Sequence, residues 1–104
     1  MNDRELLLHG RFGAKPGKRD ALAANLLRAA AAMASLPGCR LYVVSTAEAD
    51  PDGVWVTEIW DSAEDHAASL KLPATRELIA ETIPLIGAMP ERAVQLFALG
   101  GKGL

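Results

Sequence analysis

Trp55-Val56-Thr57-Glu58-Ile59-Trp60-Asp61-Ser62-Ala63-Glu64-Asp65-His66 reads as a strand running straight into a capped helix. Alternate strand residues share a face, so Glu58 and Trp60 point together while Thr57, Ile59 and Asp61 point away. Asp61 with Glu64, or Ser62 with Asp65, has the spacing by which an acidic residue at the third helical position supports a capping side chain. Glu58 lies about 10 Å down the strand from that corner, and His66 lies roughly 7.5 Å along the helix. If the helix doubles back over the sheet, carboxylate, indole and imidazole converge between the two layers.

Working outward, residues 5–13 have the composition of a strand, and Pro16-Gly17 breaks the chain. Residues 18–36 then carry Leu22, Leu26, Ala29 or Ala30, Met33 and Leu36 at helical spacing. Pro37-Gly38 ends that helix. Residues 39–46 are rich in β-branched and aromatic side chains, Asp50-Pro51-Asp52-Gly53 has turn composition, and 54–60 is the next strand. Together they predict a hairpin with a longer loop. The helical region that starts at Ser62 is interrupted at Leu72-Pro73 and near Pro84, which predicts a short helix to about residue 71 and another over 74–83. Residues 92–99 make the last strand, and the glycine-rich residues 100–104 make a flexible tail.

This order, βαββαβ, with right-handed crossovers gives an α+β, ferredoxin-like fold: a four-stranded antiparallel sheet with both helical regions on one face. Residues 1–104 suffice for a single domain, since half of them are hydrophobic and can form a core without staples.

Several function classes are disfavoured by composition. Cys39 is the single cysteine and His9 and His66 are the two imidazoles, so no cluster with metal-ligand spacing exists in the sequence. The net charge is −2 and the basic residues are dispersed, which argues against a nucleic-acid surface. The apolar run 29–33 is too short to span a membrane, and residues 1–5 do not resemble a signal peptide, so a cytoplasmic protein is expected. Arg11, Lys15, Lys18 and Arg19 cluster around the start of the first helix, where an anion could sit, although a solvated turn accounts for them as well.

The strands are apolar in both phases: Leu6, Leu8 and Phe12 against Leu7, Val54 and Val56 against Trp55 and Ile59, Val94 and Leu96 against Phe97 and Leu99. One set would be wet in a monomer, which predicts a symmetric homodimer packed through the sheet faces with the helices outside.

Phe12 to Lys18, Leu36-Pro37-Gly38-Cys39, Thr57-Glu58-Ile59-Trp60-Asp61-Ser62, His66-Ala67-Ala68-Ser69-Leu70 with Leu72-Pro73, and Pro84-Leu85-Ile86 occur in one order along nearly the whole chain. In these motifs the chain resembles the antibiotic biosynthesis monooxygenase (ABM) domain family, small dimeric α+β barrels that include quinol monooxygenases. The resemblance implies a cofactor-free oxidation by O2 of a small hydroxylated aromatic, such as a quinol or an anthrone-like polyketide. Haem-degrading proteins on this scaffold use an asparagine in the first strand and a histidine late in the second helix. Residues 4–14 here hold no asparagine and the residue ten after Trp60 is Leu70, which disfavours haem, although His66 could supply an axial ligand from another turn of the helix.

The convergent residues can host such an oxidation. Oxygen reacts readily with an electron-rich anion, so a proton must be removed and the anion kept from water. His66 is the expected base, since an imidazole ordinarily titrates near neutral pH, with Glu58 orienting it and stabilising the imidazolium. Trp60 would stack on the planar substrate, and Leu70, Leu78, Ile79 and Ile83 would exclude water. Structural roles compete with these. His66 shares a helical stripe with Ala63, Ala67 and Leu70, as a hydrogen-bonded core histidine would, and Glu58 can serve in a structural ion pair. Two other functions fit the same residues: a binding module that holds a small apolar ligand without turnover, and a cofactor-free isomerase or lyase. His9 would face the barrel interior at the dimer core, and Tyr42 could place a hydroxyl in the pocket, but its strand phase near the hairpin leaves it unassigned.

Overall fold

The strand in the quoted stretch is longer than its apolar alternation predicts. It spans Asp50–Trp60 (β3) in the computed structural model, which describes residues 5–87 and 93–104. It pairs antiparallel with β1 (Leu6–Gly13) on one side and β2 (Cys39–Ala47) on the other, and β4 (Val94–Phe97) pairs with the far edge of β1. The strand order is β2-β3-β1-β4. Helix α1 (Arg19–Met33) connects β1 to β2. Between β3 and β4 the chain forms α2 (Ala63–Ser69), α3 (Pro73–Thr82) and a 3-10 turn over Ile83–Leu85. This is the expected α+β, ferredoxin-like fold. In the single chain the sheet is open, so a closed barrel requires a second copy.

Three boundaries move for identifiable reasons. The expected turn at 50–53 lies inside β3, and the hairpin reverses at Glu48-Ala49, between the paired residues Ala47 and Asp50. Tertiary bonds outweigh the turn composition: two Arg11 nitrogens grip the Asp50 carboxylate at 2.7 Å each, and the Asp52 carbonyl accepts the Ala14 amide at 2.7 Å. Gly53 makes room for that clamp, because a Cβ there would strike the Asp50 carboxylate. Helix α1 ends at Met33 rather than 36, as the Leu36 amide folds back onto the Met33 carbonyl ahead of Pro37. Pro73 separates the two helices as expected and opens α3 itself, one residue early, at a first helical position where its missing N–H has no helical partner to lose. Of the expected strand 92–99, Val94–Phe97 is paired, and Arg92 lies outside the described residues.

One sheet face carries the core. Val54, Val56 and Trp60, at 3% exposure or less, join Leu6 and Leu8 against Leu22, Leu26 and Met33 of α1. The opposite face holds Val43, Val94 and Leu96 at 44–51% exposure in the row of Leu7 and Leu41. His9 lies on this face, bonded through Nδ1 to the Thr57 hydroxyl at 2.9 Å and stacked on Trp55 with ring centres 5.5 Å apart. Among the described residues no helix is long and apolar enough to cross a membrane.

Candidate functional site

Between the sheet and the helices lies a cavity of about 340 Å³. Its roof is the stripe Thr75, Leu78, Ile79 and Thr82 of α3, residues recurring at three- and four-residue intervals and so sharing one helical face. Leu26, Ala29 and Met33 of α1 form a wall, and Phe12, Tyr42 and Glu58 rise from the sheet. His66, Ser69 and Leu70 enter from α2 and its end. Buried Asn25 ties roof to wall: its side-chain amide donates to the Leu78 carbonyl at 3.2 Å and to the Thr82 hydroxyl.

The corner between β3 and α2 sets the polar end. Ser62 is the cap, its hydroxyl accepting the Asp65 amide at 3.1 Å, and the helix it starts carries His66 back over the sheet. Residues 58 and 60 share a strand face, so the Trp60 indole N–H donates to Glu58 Oε1 at 2.9 Å. His66 Nε2 lies 4.0 Å from that same oxygen, and its ring meets the Trp60 ring edge-on at 5.5 Å. Acid, indole and imidazole thus come together as the strand and helix spacings predict.

Their roles differ from those expected in two respects. Trp60 is 1% exposed, packed among Leu6, Leu8 and Met33, and does not line the cavity, so it offers no face for a substrate to stack on. Its contribution is to hold the Glu58 carboxyl. At 4.0 Å, Glu58 acts on His66 as a neighbouring charge rather than by a hydrogen bond. Burial pushes the Glu58 carboxyl above its ordinary range, a shift that the Trp60 N–H and His66 only partly offset. Leu70, Leu78, Ile79 and Ile83 all line the cavity; Leu70, Ile79 and Ile83 are 45%, 43% and 63% exposed and so form its rim.

Sequence reasoning left Tyr42 unassigned and did not single out Thr75. Tyr42 stands opposite Glu58 across β2 and β3, lines the cavity, and has no hydrogen-bond partner among the described residues. Burial, with Glu58 and then Cys39 nearby, raises its phenol well above the usual range, so it stays protonated. The turn position alone does not set its face: pairing carried straight on from Ala47 and Asp50 would put Tyr42 opposite Trp55, and it is the register shift between Ser45 and Ala47 that brings it opposite Glu58. Thr75 is 8% exposed with an unpartnered hydroxyl, while Ser69 donates to the His66 carbonyl and Thr82 to the Leu78 carbonyl.

The basic cluster is partly spoken for, with Arg11 on Asp50 and Arg19 3.6 Å from Asp20. No group of three or more metal-ligating side chains is assembled among the described residues.

Comparison with known proteins places these features in context. The family profile described as antibiotic biosynthesis monooxygenase matches residues 6–81. A candidate antibiotic biosynthesis monooxygenase from Chloroflexus aurantiacus J-10-fl is 44% identical, with 93% of this chain and 95% of that one covered at a TM-score of 0.84. A second from Deinococcus radiodurans is 25% identical, with 93% of each chain covered at 0.73. A third from Nitrosomonas europaea is similar in fold at 0.86 with 13% identity, covering 95% of this chain and 94% of that one. No curated protein matches the chain.

Proposed function

The chain belongs to the antibiotic biosynthesis monooxygenase family, and we propose that it oxidises a small hydroxylated aromatic, quinol or anthrone-like, with O2 and without a cofactor. The observation that carries this is a cavity in which His66 and Glu58 face one another at 4.0 Å beneath largely apolar walls. His66 is the base that takes a proton from the substrate's hydroxyl or activated carbon. Glu58, held by Trp60, orients the charge around the imidazolium that results. The substrate's electron pair then forms a C–O bond to O2, and the proton returns from His66 to the distal oxygen as a hydroperoxide. Loss of a second proton from the same carbon breaks the O–O bond, releases water and leaves a carbonyl. Leu70, Leu78, Ile79 and Ile83 exclude solvent from the anion.

The same reading makes the protein a cytoplasmic homodimer, with the exposed row of Val43, Val94 and Leu96 buried against a second copy and one cavity per subunit.

Oxygen uptake with anthrone and with quinols tests the activity. The expected result is uptake above the blank that survives dialysis against EDTA and falls about a hundredfold in His66→Ala. Uptake equal to the blank, or equal in His66→Ala, overturns it.

A further inference from the structure

A polar group sealed in an apolar wall without a partner is destabilising unless something visits it. The hydroxyl inventory of the cavity leaves one such group, Thr75, beside the half-buried phenol of Tyr42. Ser69 and Thr82 are committed to backbone carbonyls, and one Glu58 oxygen is taken by the Trp60 N–H. The Thr75 oxygen is buried with no hydrogen-bond partner, and the Tyr42 hydroxyl makes no hydrogen bond among the described residues. Thr75 is more than nine-tenths buried, sits in the first turn of α3, and lines the cavity. A helical threonine has two accessible χ1 rotamers, so one bond rotation exchanges its hydroxyl for its methyl on the cavity side.

We infer that Thr75 is a ligand-binding residue: its hydroxyl, with that of Tyr42, hydrogen-bonds the oxygen of a hydroxyaromatic that enters the cavity uncharged. This deepens the proposed function, on which its choice of ligand class rests. Two neutral hydroxyl donors stabilise an oxyanion that develops inside the cavity. A ligand arriving already as an anion would instead meet Glu58 and apolar walls that cannot replace its water. Thr75 is thus specific for the oxygen of the ligand, where Leu78 and Ile79 beside it select only shape.

Calorimetric binding under nitrogen tests this without turnover. 1-Naphthol and 1-naphthoate share a ring system and differ in charge at neutral pH, and they are titrated into the intact protein, Thr75→Val and Thr75→Ser. The expected result is naphthol binding that weakens about fivefold in Thr75→Val and returns in Thr75→Ser, with naphthoate at least about tenfold weaker than naphthol. The melting temperature of Thr75→Val should equal or exceed that of the native protein, because an unpartnered buried hydroxyl has been removed. Unchanged naphthol affinity in Thr75→Val, naphthoate binding as tight as naphthol, or no naphthol binding overturns the inference. Oxygen uptake is read separately: a protein that binds as described but consumes no oxygen defeats the proposed activity alone. One that consumes oxygen equally well as Thr75→Val defeats this inference alone.

Discussion

At Glu58 two requirements collide. The carboxyl is buried enough that its charged form is disfavoured, yet its charge is what would stabilise an imidazolium at His66. Because the folded-state pKa is raised, the folded protein binds this proton more tightly than the unfolded chain. Its stabilising contribution is therefore complete below the ordinary glutamate value of 4.5 and is lost as pH rises through the raised one. Glu58→Gln keeps an oxygen for the Trp60 N–H but has no charge to bury. The variant should gain stability relative to the native protein as pH climbs from about 4.5 toward neutrality, while its oxidation rate falls. Denaturant midpoints across that range check this, and a difference between the two proteins that does not change with pH would contradict it.

At the scale of elements, the site depends on how α3 is held over the sheet. Asn25 is the buried polar link between α1 and α3, and its amide reaches Leu78 and Thr82, both cavity residues. Asn25→Ala should lower stability by about 1–3 kcal/mol and raise KM more than it lowers kcat, since the roof loses its tether while the polar corner does not. A urea midpoint equal to that of the native protein would contradict this. The legible and illegible elements differ in what fixes them. The β3–α2 corner follows from local rules, strand alternation and a serine cap, and the convergence of Glu58, Trp60 and His66 was readable from spacing alone. The hairpin was not. Asp50-Pro51-Asp52-Gly53 satisfies turn composition, but the Arg11 clamp, formed across 39 residues of sequence, draws it into β3. Tyr42 comes opposite Glu58 only through a further register shift between Ser45 and Ala47, an irregularity that strand alternation does not reveal. Trp60 illustrates the converse: its face was predicted correctly, but only packing could tell that the indole is enclosed by Leu6, Leu8 and Met33 rather than open to the cavity.

At the scale of the whole molecule, helices cover one sheet face and the other carries Val43, Val94 and Leu96 at 44–51% exposure. A face of this kind favours association, and a self-complementary packing of two sheets would bury it in one closed step. Sedimentation should give twice the chain mass for the native protein and the single mass for Leu96→Asp. A native protein that sediments as a single chain would contradict the dimer.

The central claim is that this cavity uses His66 to generate an anion that oxygen attacks. Anthrone oxidised under 18O2 and analysed by mass spectrometry tests it most directly. The account predicts anthraquinone carrying one oxygen from the gas, formed about a hundredfold more slowly by His66→Ala. Product labelled from water, or formed equally fast by His66→Ala, would contradict it.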